Sequence, residues 1–135
     1  MKKIIAVVVV ILAGVCVAQS PRQVEVVAEV SLTNQTGETG GTLYTPAQTG
    51  VFRVNFMVHC INGSAPIVPR LFWTDDHAGE AYSTNVSCGL PHTSPAAVLI
   101  IKAIAGQPIG WAVFGQEGQV YDVYLTLERI GPKTQ

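Results

Sequence analysis

Val51 to Ile61 carries an apolar residue at every second position from Phe52 to Cys60, and that run constrains the fold more than any other part of the chain. Phe52, Val54, Phe56, Val58 and Cys60 fall on one side, with Arg53, Asn55 and His59 on the other. Successive side chains of an extended strand point to opposite faces, so this pattern describes a strand with one face in a core. Asn62-Gly63 closes it with a turn dipeptide. The same reading covers much of the rest. Val24, Val26, Ala28, Val30 and Leu32 share one face of a strand, with Glu25, Glu29, Ser31 and Thr33 opposite. In the last strand Tyr121, Val123, Leu125 and Leu127 face the core, with Asp122, Tyr124, Thr126 and Glu128 outward.

The pieces between are shorter. Asn34 to Gly41, rich in glycine, reads as a loop, and Leu43-Tyr44-Thr45 as an edge piece stopped by Pro46. Ile67 to Thr74 is extended, but Pro66 and Pro69 place it at an edge or a bulge. Ala81 to Ser87 is a weak strand. Ile109 to Phe114 and Val120 to Ile130 form a hairpin around Gly115-Gln116-Glu117-Gly118. Ala96 to Ala105 is apolar on both faces, Leu99 and Ile101 on one, Val98, Ile100 and Ile104 on the other. No segment past residue 18 has a convincing helical repeat. Seven or eight strands punctuated by Gly and Pro define an all-β antiparallel β-sandwich, jelly-roll-like.

The start of the chain has a different grammar. Met1-Lys2-Lys3 is basic, Ile4 to Val15 is apolar, and Cys16-Val17-Ala18 supplies the small residues a signal peptidase reads. The apolar run is too short to span a bilayer. Residues 1–18 are therefore expected to be a signal peptide and residues 19–135 one secreted β-sandwich domain, extracellular or periplasmic. A lipoprotein reading of Cys16 fits less well, because Val15 stands where a lipobox wants a small residue.

Export fits the cysteines. Once Cys16 leaves with the signal, Cys60 and Cys88 remain as an even pair in an oxidising compartment. A disulfide between them would restrict the unfolded chain by about 3.5 kcal/mol. The competing reading is a pair of buried thiols. Charge is sparse: 13% of the chain, against 48% hydrophobic. Without Lys2 and Lys3, six Lys and Arg face nine Asp and Glu. No basic face exists to draw nucleic acid.

Chemistry is thin. Asp75, Asp76, His77 and Glu80 form the one polar cluster, oxygen-rich enough for calcium, yet the spacing matches no metal loop and reads equally as a solvated turn. His59 and His92 lack ligands at zinc spacing. No Gly-x-Ser-x-Gly elbow is present. No catalytic residue, metal or other cofactor is expected. Asn34-Gln35-Thr36, Asn62-Gly63-Ser64 and Asn85-Val86-Ser87 are glycosylation sequons, used only if the exporting cell glycosylates.

Tyr44 to Phe56, in which a turn delivers Gly50 to an aromatic-apolar strand, resembles the Gly-Val-Tyr-Phe-type strand of the tumour necrosis factor and complement globular-head jelly rolls. Val98 to Trp111, an apolar strand, a turn at Ala105-Gly106-Gln107 and a second strand, is similar to another element of that family. Tyr121 to Ile130 matches its closing strand. The resemblance covers about Val30 to Ile130 and extends to modules on bacterial and phage fibre proteins. Gln107 departs from it, standing where the family carries an acid. It implies the fold and a trimeric habit, without a ligand.

The expected function is a secreted, non-enzymatic module that self-associates as a structural or adhesive component of the cell exterior. Its partner is itself, through Val98, Ile100, Ile104 and Tyr124, with a surface glycan or protein as a further partner. The alternatives are a soluble carbohydrate-binding sandwich, with Trp73 and Tyr82 as stacking platforms, and a small secreted hydrolase.

Overall fold

A computed structural model describes residues 23–63, 65–75, 79–83, 86–87 and 93–131, with backbone alone over 80–83 and 86–87. Nine strands run in chain order: β1 (Gln23–Gln35), β2 (Glu38–Tyr44), β3 (Gly50–Asn62), β4 (Pro66–Thr74), β5 (Gly79–Ser83), β6 (Val86–Ser87), β7 (Ala96–Ala103), β8 (Ile109–Phe114) and β9 (Val120–Gly131). They make two sheets, β1-β9-β3-β7 and β2-β8-β4-β5, with β6 also on β4. All pairings are antiparallel. Apart from β4, β5 and β6, which pair with one another through β4, consecutive strands lie in opposite sheets, which is the jelly-roll path.

The alternation in β3 and β9 does what the sequence promises. Phe52, Val54, Phe56, Val58 and Cys60 meet Tyr121, Val123, Leu125 and Leu127 on the inner face, all buried. Ile67 and Leu71 of β4 and Ile109, Trp111 and Val113 of β8 close the core from the second sheet. β7 divides as its sequence suggests, Ile101 buried and Leu99 packed against the core, Val98 and Ile100 outward.

Four features depart from expectation. First, β1 does not keep one face. Its register on β9 slips between Val26 and Ala28, a bulge at Val27. Val27, Ala28, Val30 and Leu32 pack on the core, while Val24 and Val26 are thrown to the outer face. A single extra residue reverses the side on which every residue beyond it points.

Second, the glycine-rich stretch read as a loop is strand except at Thr36 and Gly37: Asn34 and Gln35 end β1, and Glu38 to Gly41 open β2. A Cβ on Gly40 would stand 2.5 Å from the carbonyl oxygen of Trp111. The glycine permits a close approach of β2 to β8, the other meaning of glycine in a strand.

Third, β4 lies inside its sheet despite two prolines. It pairs with β8 over Val68–Phe72, while β5 covers only Arg70–Thr74 and β6 only Pro66–Ile67. Pro69 falls in the gap between those two short partners, where no N–H is needed. The weak strand expected over Ala81 to Ser87 is accordingly two pieces.

Fourth, β8 and β9 are not a hairpin. β8 pairs with β2 and β4, and β9 with β1 and β3, so the turn between them crosses from one sheet to the other. Buried Gln119 holds that crossing: its Oε1 accepts from the Gln116 N–H at 2.5 Å, and its Nε2 donates to the Ala65 carbonyl. Gly115 leaves room for the Tyr121 ring, and the Tyr121 hydroxyl donates to the Gly37 carbonyl at 2.6 Å.

Candidate functional site: the outer face of the four-stranded sheet

Six large hydrophobic side chains are exposed among the described residues: Val24, Val26, Val51, Phe72, Val98 and Ile100. Five of them lie on the outer face of one sheet, β1-β9-β3-β7; Phe72 belongs to the other. The strand registers lay this face out in rows. Val24, Ile130, Val51 and Lys102 form one row, and Val26, Glu128, Arg53 and Ile100 the next. Glu29, Thr126, Asn55 and Val98 follow, then Ser31, Tyr124, Met57 and Ala96.

Glu128 and Arg53 in the second row, and Thr126 and Asn55 in the third, stand between the apolar side chains of β1 and those of β7. The two central charges satisfy each other, because the Arg53 Nε donates to Glu128 Oε2. Asn55 Nδ2 lies 3.5 Å from the same oxygen. The hydrogen bond from Arg53 holds the Glu128 carboxyl below the ordinary carboxylate range, and the same bond raises Arg53. A charge that is already paired is far less costly to cover than a lone one. Lys102 on β7 and Glu29 on β1 sit at opposite edges, and Asp122 lies farther along β9, opposite His59.

Val98 and Ile100, singled out from sequence, stand on this face at 65% and 61% exposure. Ile104 does not join them: it follows the end of β7, half-buried, and its N–H is donated to the Thr74 carbonyl of the other sheet. Tyr124 is on the face but half-buried, one row beyond Val98, its hydroxyl 3.4 Å from Asp122. Val24 and Val26 were the residues that sequence reasoning misplaced. Their signal was there: Val26-Val27-Ala28 is a run of three apolar residues, and strict alternation would leave Val27 on the polar side with Glu25 and Glu29.

The other candidates scatter. Trp73 packs against the core and is half-buried, and the register sets Tyr82 opposite Leu71. Cys60 is fully buried and disulfide-bonded. Cys88, Asp76, His77, His92, Asn85 and the signal segment lie outside the described residues, as do the side chains of Glu80 and Tyr82. No group of three or more His, Cys, Asp or Glu that could hold a metal occurs among the described residues. His59 Nδ1 meets Ser94 Oγ at 2.7 Å, a contact the sequence did not reveal. Opposite His59, Asp122 accepts the Asn34 N–H at 2.8 Å and so holds Asn34 at φ 54°.

The class is thus a jelly-roll β-sandwich whose four-stranded sheet carries an apolar outer face. The sequence matches no family model and no curated protein. Among solved structures it is similar to a protein of the disulfide-linked pili of Bacillus endospore appendages, at 12% identity and TM-score 0.45, over 87% of this chain and 96% of that one. It is also similar to the TmCBM61 module solved with beta-1,4-galactotriose, at 18% identity and TM-score 0.48, over 82% and 89%. A third likeness is to the Eiger TNF of S. frugiperda, at 11% identity and TM-score 0.40, over 86% and 97%. These likenesses concern fold alone, and the assignment here rests on the strand order.

Proposed function

We propose that this chain is an exported, non-enzymatic jelly-roll module that assembles with copies of itself, as a structural or adhesive part of the cell exterior. The observation that carries the reading is the gathering, among the described residues, of five of the six exposed large hydrophobics on one sheet face. A sandwich strand needs only one apolar face for its own core, and large apolar side chains gathered on one exposed face mark a contact site. Export is supported by the signal-like start and by the disulfide at Cys60. Cys88 is the partner we expect for that bond.

A second copy suits the face for two reasons. Its central ion pair is satisfied within the chain, so no unpaired charge is buried on contact. Lys102 and Glu29 flank it with opposite signs at opposite edges, which favours one copy's β7 edge against the next copy's β1 edge. Such head-to-tail contacts close into rings where the rotation from copy to copy closes, and otherwise run on as filaments. A trimer, the habit implied by the sequence resemblance, is the ring we expect.

Replacing Ile100 or Val26 by Asp tests the reading. Both side chains are exposed, so each variant should keep the circular dichroism of the wild type while its light-scattering mass falls to that of one chain. Variants that stay assembled would remove the face from consideration.

A further inference from the structure

One of the four asparagines, Asn62, is followed by glycine. It is the exposed last residue of β3, at a register irregularity, and Gly63 turns the chain away with φ +109°. The Gly63 N–H is donated to the Oδ1 of Asn62 itself, at 2.8 Å. That short loop of atoms brings the backbone nitrogen alongside Cγ, the carbon that carries this oxygen. Gly63 has no Cβ to screen the approach, and the fold keeps it so: a Cβ there would meet Gln119 Cγ at 2.8 Å. The positive φ also favours glycine.

We propose that Asn62 is a site of spontaneous, backbone-mediated deamidation, a chemical modification independent of the assembly proposed above. The Gly63 amide gives up its proton to base, and its nitrogen attacks Cγ. The new N–Cγ bond closes a five-membered succinimide as the Cγ–Nδ2 bond breaks and Nδ2 leaves as ammonia. Water then adds to one of the two ring carbonyls. Opening at Cγ leaves an aspartate at position 62, and opening at the backbone carbonyl leaves an isoaspartate, with one extra carbon in the main chain. One water is consumed and one ammonia released; no oxidation occurs.

The other described asparagines serve as internal controls. Asn34 precedes Gln35 and Asn55 precedes Phe56, whose side chains shield the following nitrogen. Asn55 also directs its amide nitrogen toward Glu128. Asparagine is among the thermolabile residues, and position decides which one reacts. Conversion at Asn62 also destroys the Asn62-Gly63-Ser64 sequon, so the reaction and glycosylation exclude each other at this residue.

The test is peptide-mapping mass spectrometry of the full mature chain held in isotopically labelled water at neutral and mildly alkaline pH. Label and acid should accumulate at position 62 about tenfold faster than at Asn34 or Asn55, a difference of about 1.4 kcal/mol in barrier. The rate should climb with pH, with isoaspartate among the products. Asn62→Gln, which would need a six-membered ring, should abolish conversion at this position while leaving the fold intact. A rate at Asn62 no faster than at the two controls, no rise with pH, or aspartate without isoaspartate would each overturn the proposal.

Discussion

Ile100 and Ile101 are adjacent, chemically identical and on opposite faces of β7, so truncating each to alanine isolates what a face is worth. Ile101 is 3% exposed and packs in the core. Its loss removes buried methylenes and leaves a cavity, which costs about 2–5 kcal/mol. Ile100 is 61% exposed, so the single chain withdraws only about two fifths of it from water. Complete burial of an isoleucine is worth about 1.5–3 kcal/mol, so Ile100→Ala should cost the isolated chain roughly 1 kcal/mol or less. In a thermal melt of a domain this size, each kcal/mol moves Tm by roughly 4 °C. The assay is a melt of wild type and both variants at two protein concentrations about a hundredfold apart. Association stabilises the folded state by mass action, by up to about 2.7 kcal/mol over such a range. Wild type and Ile101→Ala should gain Tm with concentration; Ile100→Ala should not. The reasoning fails if Ile100→Ala costs as much as Ile101→Ala when dilute, for then β7 is buried on both faces within one chain. It fails equally if no protein shows a concentration dependence.

Acid should weaken the sheet through Glu128. Its folded carboxyl is held below the ordinary range by Arg53, so its contribution is present above the unfolded value and lost as pH falls through the depressed folded one. Glu128→Gln should flatten that acid limb in a urea titration against pH, and an unchanged limb would clear the pair of any role. Gly115→Ala should destabilise by about 1–3 kcal/mol through overpacking, since its Cβ would sit 2.7 Å from Tyr121 Cε1 and 2.8 Å from the Gly37 oxygen; denaturant midpoints decide. Cys88→Ala should cost about 3.5 kcal/mol if the bond to Cys60 closes the intervening loop. In the unfolded, unreduced wild type neither thiol should alkylate, and free thiols there would refute the pairing.

What the sequence made legible was whatever alternation controls. β3 and β9 are read correctly residue by residue, because every second side chain enters one core. Period two also exposed the doubled apolarity of β7. It is blind to events that add one residue or depend on a neighbour. The bulge at Val27 inverts two valines, and with them two of the five exposed apolar side chains of the face. Gly40 reads as a loop until the Trp111 carbonyl is seen beside it. Pro69 reads as an edge until its partner strand is seen to be split. The turn from Gly115 to Gly118 has hairpin chemistry, and only the partners of β8 and β9 show that it joins two sheets. These depend on contacts distant in sequence, so no window along one chain contains them.

Self-association through the outer face of the four-stranded sheet is the central claim, and the mass of the purified mature chain in solution tests it most directly. Multi-angle light scattering at roughly tens of micromolar, where a working interface should be filled by mass action, should return three chain masses, falling on dilution. A single-chain mass at that concentration would contradict the account.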